Sequence, residues 1–310
     1  MSLISWTDIT ANPIHIVRED GSNGGHFCRK VSPGCLHCYS ESQNQSNYFS
    51  FASKLPYAGE APKNLIFDDA VMEKLLRMQS GKKVFLCSMT DLFADWVPDE
   101  WIDKAFAYMA LAQQHTFQVL TKRPERMTEY FGMSQKRIAT AAVNLGKSLN
   151  LPKKKYQFCE NFEPDWNFQN IWLGCSVENQ ETVDMRCPHL LRTPAAVRFL
   201  SCEPLLEKID ISPYLHGSFW QKGSPTGVTW AIVGGESGAK SRPCQLDWIE
   251  SLVMQCQQQS AAVFVKQWGQ NSLAYVAGSS KKNKLKDRKG GNMAEWPESI
   301  RIRQFPIVQN

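Results

Sequence analysis

Long apolar runs are missing from this 310-residue chain, as is a basic segment followed by an apolar one near its start, MSLISWTDIT. The first absence argues against a membrane span and the second against a secretory leader, so a cytoplasmic protein is expected. Histidine is scarce: there are six, with no HExxH pair, which leaves a zinc-dependent hydrolase without its usual ligands. No repeat of fixed period runs along the chain. No alternation of aromatic and basic residues marks a base-stacking surface, so the ten tryptophans read first as core. Charge is close to balanced, at +5, a mild preference for phosphate-bearing partners shared by many neutral enzymes. Two basic stretches, Lys153–Lys155 and Ser279–Asn292, read equally as solvated loops or as a nucleic-acid footprint.

Cysteine, by contrast, is plentiful. Most of the ten sit singly in apolar runs, as Cys87, Cys175 and Cys202 do, and read as reduced core residues, not as a disulfide framework. Three differ. The stretch HFCRKVSPGCLHCYSE, His26 to Glu41, places Cys28, Cys35 and Cys38 in the spacing C-x6-C-x2-C, and the next cysteine is Cys87. A closed structural zinc site takes four protein ligands, so a trio without a fourth suggests a metal centre with one open position. A zinc site completed by His26 or His37 is the competing reading. Core packing is disfavoured by the Gly, Pro and His neighbours.

From residue 84 onward, short apolar runs alternate with helix-like segments, the pattern of βαβ units and a parallel sheet. The runs are Val84–Ser88, Thr116–Thr121, Ile171–Val177, Val197–Cys202, Thr229–Gly235 and Ala262–Trp268, with a further strand expected near ANPIHIV. Helical spacing marks Asp99–Gln114, and Asp247–Gln259 reads as a helix behind an Asp247 N-cap. The expected fold is α/β: a partial or complete (β/α) TIM-like barrel in one domain over residues 1–310. An insertion is expected at about 130–168, and a basic loop and C-terminal extension at about 270–310. Chemistry in such folds collects where the strands end. The residues there are Ser88, Thr90 and Asp91; Thr121, Lys122 and Arg123; Ser176 and Glu178; Glu203; Glu236; and Lys266. The bland reading of the acids is a helix cap or a buried ion pair with Lys122 or Arg123. The cations either pair with those acids or attract an anion.

The motifs WTDITANP (Trp6–Pro13), KVSPGCLHCYSE (Lys30–Glu41), SMTDLF (Ser88–Phe93), LTKRPERM (Leu120–Met127), WLGCSVEN (Trp172–Asn179), FLSCEPLL (Phe199–Leu206), GGESG (Gly234–Gly238) with Arg242-Pro243, and VKQWG (Val265–Gly269) cover almost the whole chain. Together they resemble a phage- and mobile-element-associated uncharacterised family with a three-cysteine motif, related to the radical S-adenosylmethionine (SAM) enzymes and, through SMTD, to their spore photoproduct lyase branch. The resemblance implies a barrel of the radical SAM type, in which Cys28, Cys35 and Cys38 ligate a 4Fe-4S cluster and leave its fourth iron to SAM. Reductive cleavage of SAM would then yield a 5'-deoxyadenosyl radical. The usual spacing in those enzymes is C-x3-C-x2-C, so the first gap here is longer.

The same resemblance assigns Ser88, Thr90 and Asp91 to the SAM amino group and Tyr39 to the adenine, although Tyr39 also reads as a packing aromatic. Lys122, Arg123 and Lys266, as cations at the rim, are candidates for a phosphate or the SAM carboxylate. Glu178 and Glu203 are read as lining the cavity, against the ribose or the substrate, and Ser176 as a cofactor-binding candidate at the same rim. Gly234, Gly235 and Glu236 are lesser candidates, either letting the backbone approach SAM or forming a tight turn. A nucleic acid or nucleotide is the implied substrate, flavodoxin or ferredoxin the kind of reductant, and a protein encoded nearby a partner. The alternative is a non-enzymatic iron-sulfur or zinc module that binds nucleic acid or senses redox state.

Overall fold

The structure, a computed structural model, describes residues 4–160, 168–215, 220–221, 224–225, 227–238, 240–276, 279–283 and 285–307. Its contacts divide the chain into two compact units: Met1–Val31, Cys38–Trp172 and Thr193–Ala196 in the first, Ser32–His37, Leu173–Arg192 and Val197–Asn310 in the second.

The first unit carries β1 (Ile9–Ala11), β2 (Ile14–Ile16), α1 (Tyr39–Gln45), β3 (Leu65–Phe67), α2 (Asp69–Arg77), β4 (Lys83–Leu86), α3 (Asp99–Leu111), β5 (Thr116–Thr121), α4 (Pro124–Ser148), α5 (Gln157–Glu160) and the start of β6 (Ile171–Ser176). Strand β4 pairs in parallel with β1 on one side and β5 on the other. The strand expected at ANPIHIV is in fact two. Pro13 lacks a backbone donor and separates β1 from β2, which pairs antiparallel with β3 outside the main sheet. Strand β4 stops at Leu86, short of the expected Ser88, because Cys87 turns into the left-handed region at φ 58°.

Helix α3 starts after Pro98 with Asp99 and Glu100 in its first turn, where the helix dipole favours acids. Helix α4 opens on Pro124, a position whose missing N–H costs nothing. It continues for 25 residues, so the segment expected to begin an insertion at 130 is core helix. Tyr130 and Phe131 lie 6.1 and 5.2 Å from the Phe106 ring of α3. Most of the CENFEPDWN run lies outside the described residues.

The second unit takes up the rest of β6, followed by α6 (Gln180–Arg192), β7 (Val197–Cys202), β8 (Trp220–Gln221), β9 (Ser224–Pro225), β10 (Trp230–Gly234), β11 (Cys244–Gln245), α7 (Leu246–Gln258), β12 (Ala262–Gln267), β13 (Ser272–Val276) and β14 (Ser279–Lys282). Strand β10 pairs in parallel with β7 and β12. Strands β6, β7 and β10 are buried at every residue, which is why they read as largely apolar runs, interrupted in β7 by the buried Arg198. Gln245 holds the N-cap position of α7 without a side-chain cap bond, and Asp247 lies inside the first turn and not at the cap as expected. Part of the basic stretch at 279–292 forms β14, paired antiparallel with β13. In sequence of neighbours the sheet runs β1-β4-β5-β6-β7-β10-β12, the strand succession of a partial (β/α) barrel in a mixed α/β chain. Among the described residues no helix is long and apolar enough to cross a membrane.

Two glycines test the packing in opposite directions. A Cβ at Gly174 would lie 2.6 Å from the Phe199 ring, whereas one at Gly132 in α4 meets nothing within 4 Å. Gly174→Ala should cost about 1–3 kcal/mol through overpacking, and Gly132→Ala should stabilise by up to about 1 kcal/mol, both read from urea midpoints.

His26 supplies a pH test. Burial, reinforced by nearby His15 and opposed by the contact with the Ile14 carbonyl, lowers its pKa to about 4. The unfolded chain takes up this proton below about pH 6.5, while the folded chain refuses it until about 4. Stability is therefore lost as the pH falls across that window, by roughly 3 kcal/mol from this group. His26→Gln should flatten the corresponding stretch of the stability–pH profile.

Candidate functional site

All ten cysteines are thiols. Seven are buried, whereas Cys28, Cys35 and Cys38 are half-buried. Cys38 is the residue before α1, and both it and Cys28 act electrostatically on Tyr57, whose phenol is pushed up chiefly by burial. The Tyr57 hydroxyl donates to the Met89 carbonyl at 2.8 Å and shares a 2.7 Å hydrogen bond with Ser40. Ser40 Oγ also lies 3.1 Å from Met89 O, an alternative acceptor for its one proton, and Tyr39 donates to Ser88 O at 2.8 Å. These bonds tie the residues after Cys38 to the loop after β4.

That loop is the SMTD segment, and its polar side chains are engaged within the unit. Ser88 bonds Asn12, and Thr90 donates to the Phe27 carbonyl. Buried Asp91 accepts from Thr121 Oγ1 at 2.7 Å and from the Phe93 and Lys122 amides at 3.0 Å. It also accepts from Arg123 Nη1 at 3.0 Å. Arg123 reaches on to the Arg29 carbonyl at 3.2 Å, beside Cys28 in the chain. Asp91 is therefore a buried ion pair that links the ends of β4 and β5.

In the second unit the arm Ser32–His37, which bears Cys35 on a 3-10 turn, is held by two acids. Glu178, fully buried, accepts from Ser32 Oγ at 2.9 Å and from Arg186 Nη1 at 3.1 Å. Arg186 also donates to the Ser176 carbonyl at 2.7 Å. A side chain at Gly34 would overlap Glu178 Cγ and Oε1, so only glycine fits there. Glu236 accepts from Arg242 Nη2 at 2.7 Å and Nε at 3.1 Å, from the Arg242 amide at 2.8 Å and from His37 Nδ1 at 3.0 Å. Burial works against the Glu236 charge, but the bonds from Arg242 and His37 outweigh it and hold the carboxyl below its ordinary range. Arg242 also donates to the Pro33 carbonyl at 2.9 Å.

Glu203 is paired with Lys266 at 2.6 Å. The glycines 234 and 235, considered for close approach to SAM, instead admit protein: a Cβ at Gly235 would run into the Trp268 carbonyl, and one at Gly234 would stand 3.1 Å from the Gln267 carbonyl. Sequence reasoning did not assign roles to Arg186, Arg242, Ser32 or Gly34. The one available signal was Arg242, six residues after Glu236 and next to a proline in a quoted motif.

Thiolates suit iron-sulfur and zinc centres alike. Among the described residues, no three His, Cys, Asp or Glu side chains are gathered as a metal-holding group. Cys28 and Cys38 belong to the first unit and Cys35 to the second.

Replacing Asp91 by Asn should cost about 3–5 kcal/mol, because it leaves the Arg123 charge buried without its partner. An Asp91→Asn, Arg123→Met double variant should lose clearly less than the sum of the two single losses, as read in a double-mutant cycle by chemical denaturation.

The sequence pattern of a family described as "Protein of unknown function (DUF5131)" matches residues 1–297. No curated protein and no solved structure matches the chain.

Proposed function

We propose that this chain, which belongs to the DUF5131 family of proteins of unknown function, is a cytoplasmic radical SAM enzyme whose Cys28, Cys35 and Cys38 hold a 4Fe-4S cluster. The observation that carries this reading is the contrast among the thiols: seven are buried in the packed units, and the three in one short segment stay half-buried. Core cysteines have no reason to cluster in a polar loop, whereas metal ligands must be reachable. Cys28, Cys35 and Cys38 would hold such a cluster, which would supply one-electron reduction and so give access to radical chemistry.

The chain's own residues then have distinct tasks. Tyr39 follows Cys38, its hydroxyl is fixed on Ser88, and the residue is 44% exposed, which supports its assignment to the adenine. The Ser88–Asp91 loop stands against that same tyrosine, which supports its assignment to the SAM amino group. Asp91 can serve as an acceptor there only by sharing its carboxylate with Arg123. Lys122 remains the proposed cation for the SAM carboxylate, and Glu203 and Ser176 remain assigned to the ribose and substrate side, whereas Glu178, fully buried on Ser32 and Arg186, presents no surface to a ligand. The net charge of +5 supports a nucleotide or nucleic acid as substrate. The reading includes a reductant of the flavodoxin or ferredoxin kind and a protein partner encoded nearby.

The test is anaerobic purification, reconstitution with iron and sulfide, and assay of SAM conversion to 5'-deoxyadenosine under dithionite. A brown protein that cleaves SAM, with activity abolished by Cys35→Ala, is the expected outcome. Stoichiometric zinc with no SAM binding would replace the proposal by a non-enzymatic metal module.

A further inference from the structure

The six-residue arm Ser32–His37 has almost no apolar anchorage. Its one large apolar side chain, Leu36, is 57% exposed, and Gly34 is the buried residue of its 3-10 turn. Hydrophobic burial therefore does not fix the arm. Polar contacts do so at three of its residues: Ser32 on Glu178, Pro33 O under Arg242, and His37 on Glu236. The first of these reaches the sulfur. Ser32 Oγ lies 2.9 Å from Glu178 Oε1 and 3.8 Å from Cys35 Sγ. A carboxylate paired with Arg186 can only accept, so the serine proton goes to Glu178, and the Ser32 oxygen accepts from the thiol.

We propose that Glu178, acting through Ser32 and over Gly34, is a positioning residue for Cys35, and that the Glu236–Arg242 pair secures the other end of the same arm. The proposal rests on the reading of Cys35 as a metal ligand. It adds that the place of this thiol is set from the second unit by an acid 143 positions further along the chain. Glu178 touches neither cofactor nor substrate in this role. It acts through the serine hydroxyl and through the space that glycine leaves for its carboxylate.

The experiment is labelling of the full-length, metal-free chain with N-ethylmaleimide, each cysteine being followed by peptide mass spectrometry. Ser32→Ala removes the hydroxyl but leaves Glu178 on Arg186, and Gly34→Ala pushes a methyl group into the carboxylate. Both should speed labelling of Cys35 roughly ten-fold, the effect of losing a hydrogen bond to a charged group on a local opening equilibrium. Cys28 and Cys38 should keep their rates. Ser32→Thr, which restores a hydroxyl, should return Cys35 to its original rate. Wild-type labelling in both alanine variants would overturn the proposal, as would a parallel rise at all three cysteines, which would mean general loosening. A wild-type chain that takes up no iron would defeat the cluster reading while leaving the labelling contrast standing, so the two failures are distinguishable.

Discussion

A carboxylate removed from water must find a cation and donors for its oxygens, or it will not stay charged. The acids at four strand ends of this chain are arranged by that constraint: Asp91 with Arg123, Glu178 with Arg186, Glu203 with Lys266, and Glu236 with Arg242. Each pair lies within one unit. The strand ends are therefore studded with neutralised pairs, and the energy of each resides less in the attraction than in the penalty for breaking it. Because the partners come from different segments, the pairs also act as ties. Asp91 joins the ends of β4 and β5, Glu178 joins α6 to the arm, and Glu236 joins that arm to the loop after β10.

The Ser32–His37 arm of the cysteine segment depends on these ties because its one large apolar side chain, Leu36, is exposed. After Cys38 the segment is fastened by hydroxyls, with Ser40 on Tyr57, Tyr57 on Met89 O and Tyr39 on Ser88 O. Around Cys35 it is fastened by acids and arginine. A loop pinned by directional bonds can hold its thiols half-buried, whereas a loop pinned by hydrophobic burial would draw them into the core with the other seven. The proposed chemistry needs sulfur that is both placed and reachable, and this mode of fastening supplies both.

The positions of the sheet strands were legible because β6, β7 and β10 are buried on both faces and so carry largely apolar runs. Their ends were less so. Cys87 ends β4 through a backbone angle that its side chain does not announce. The long α4 was misjudged because the lysines and Gly132 of its exposed face hide Tyr130 and Phe131, which pack on Phe106. The strand-end acids could be picked out, but their partners could not. Arg186 is ten residues beyond the carbonyl it bonds, and it sits on a helix. For Asp91 the partnership with Arg123, considered from the sequence as the plain alternative, is the one that forms.

By itself, then, the order of residues determined the alternation of strands and helices, the edge at which polar groups gather, and the isolation of three cysteines from the rest. Those features follow from local rules of burial and periodicity that act over a few residues. Tertiary structure alone decided which acid meets which base, why position 34 is glycine, and that the room beside Gly235 belongs to Trp268. Each of these is a contact between atoms far apart in the chain, and only folding sets such distances.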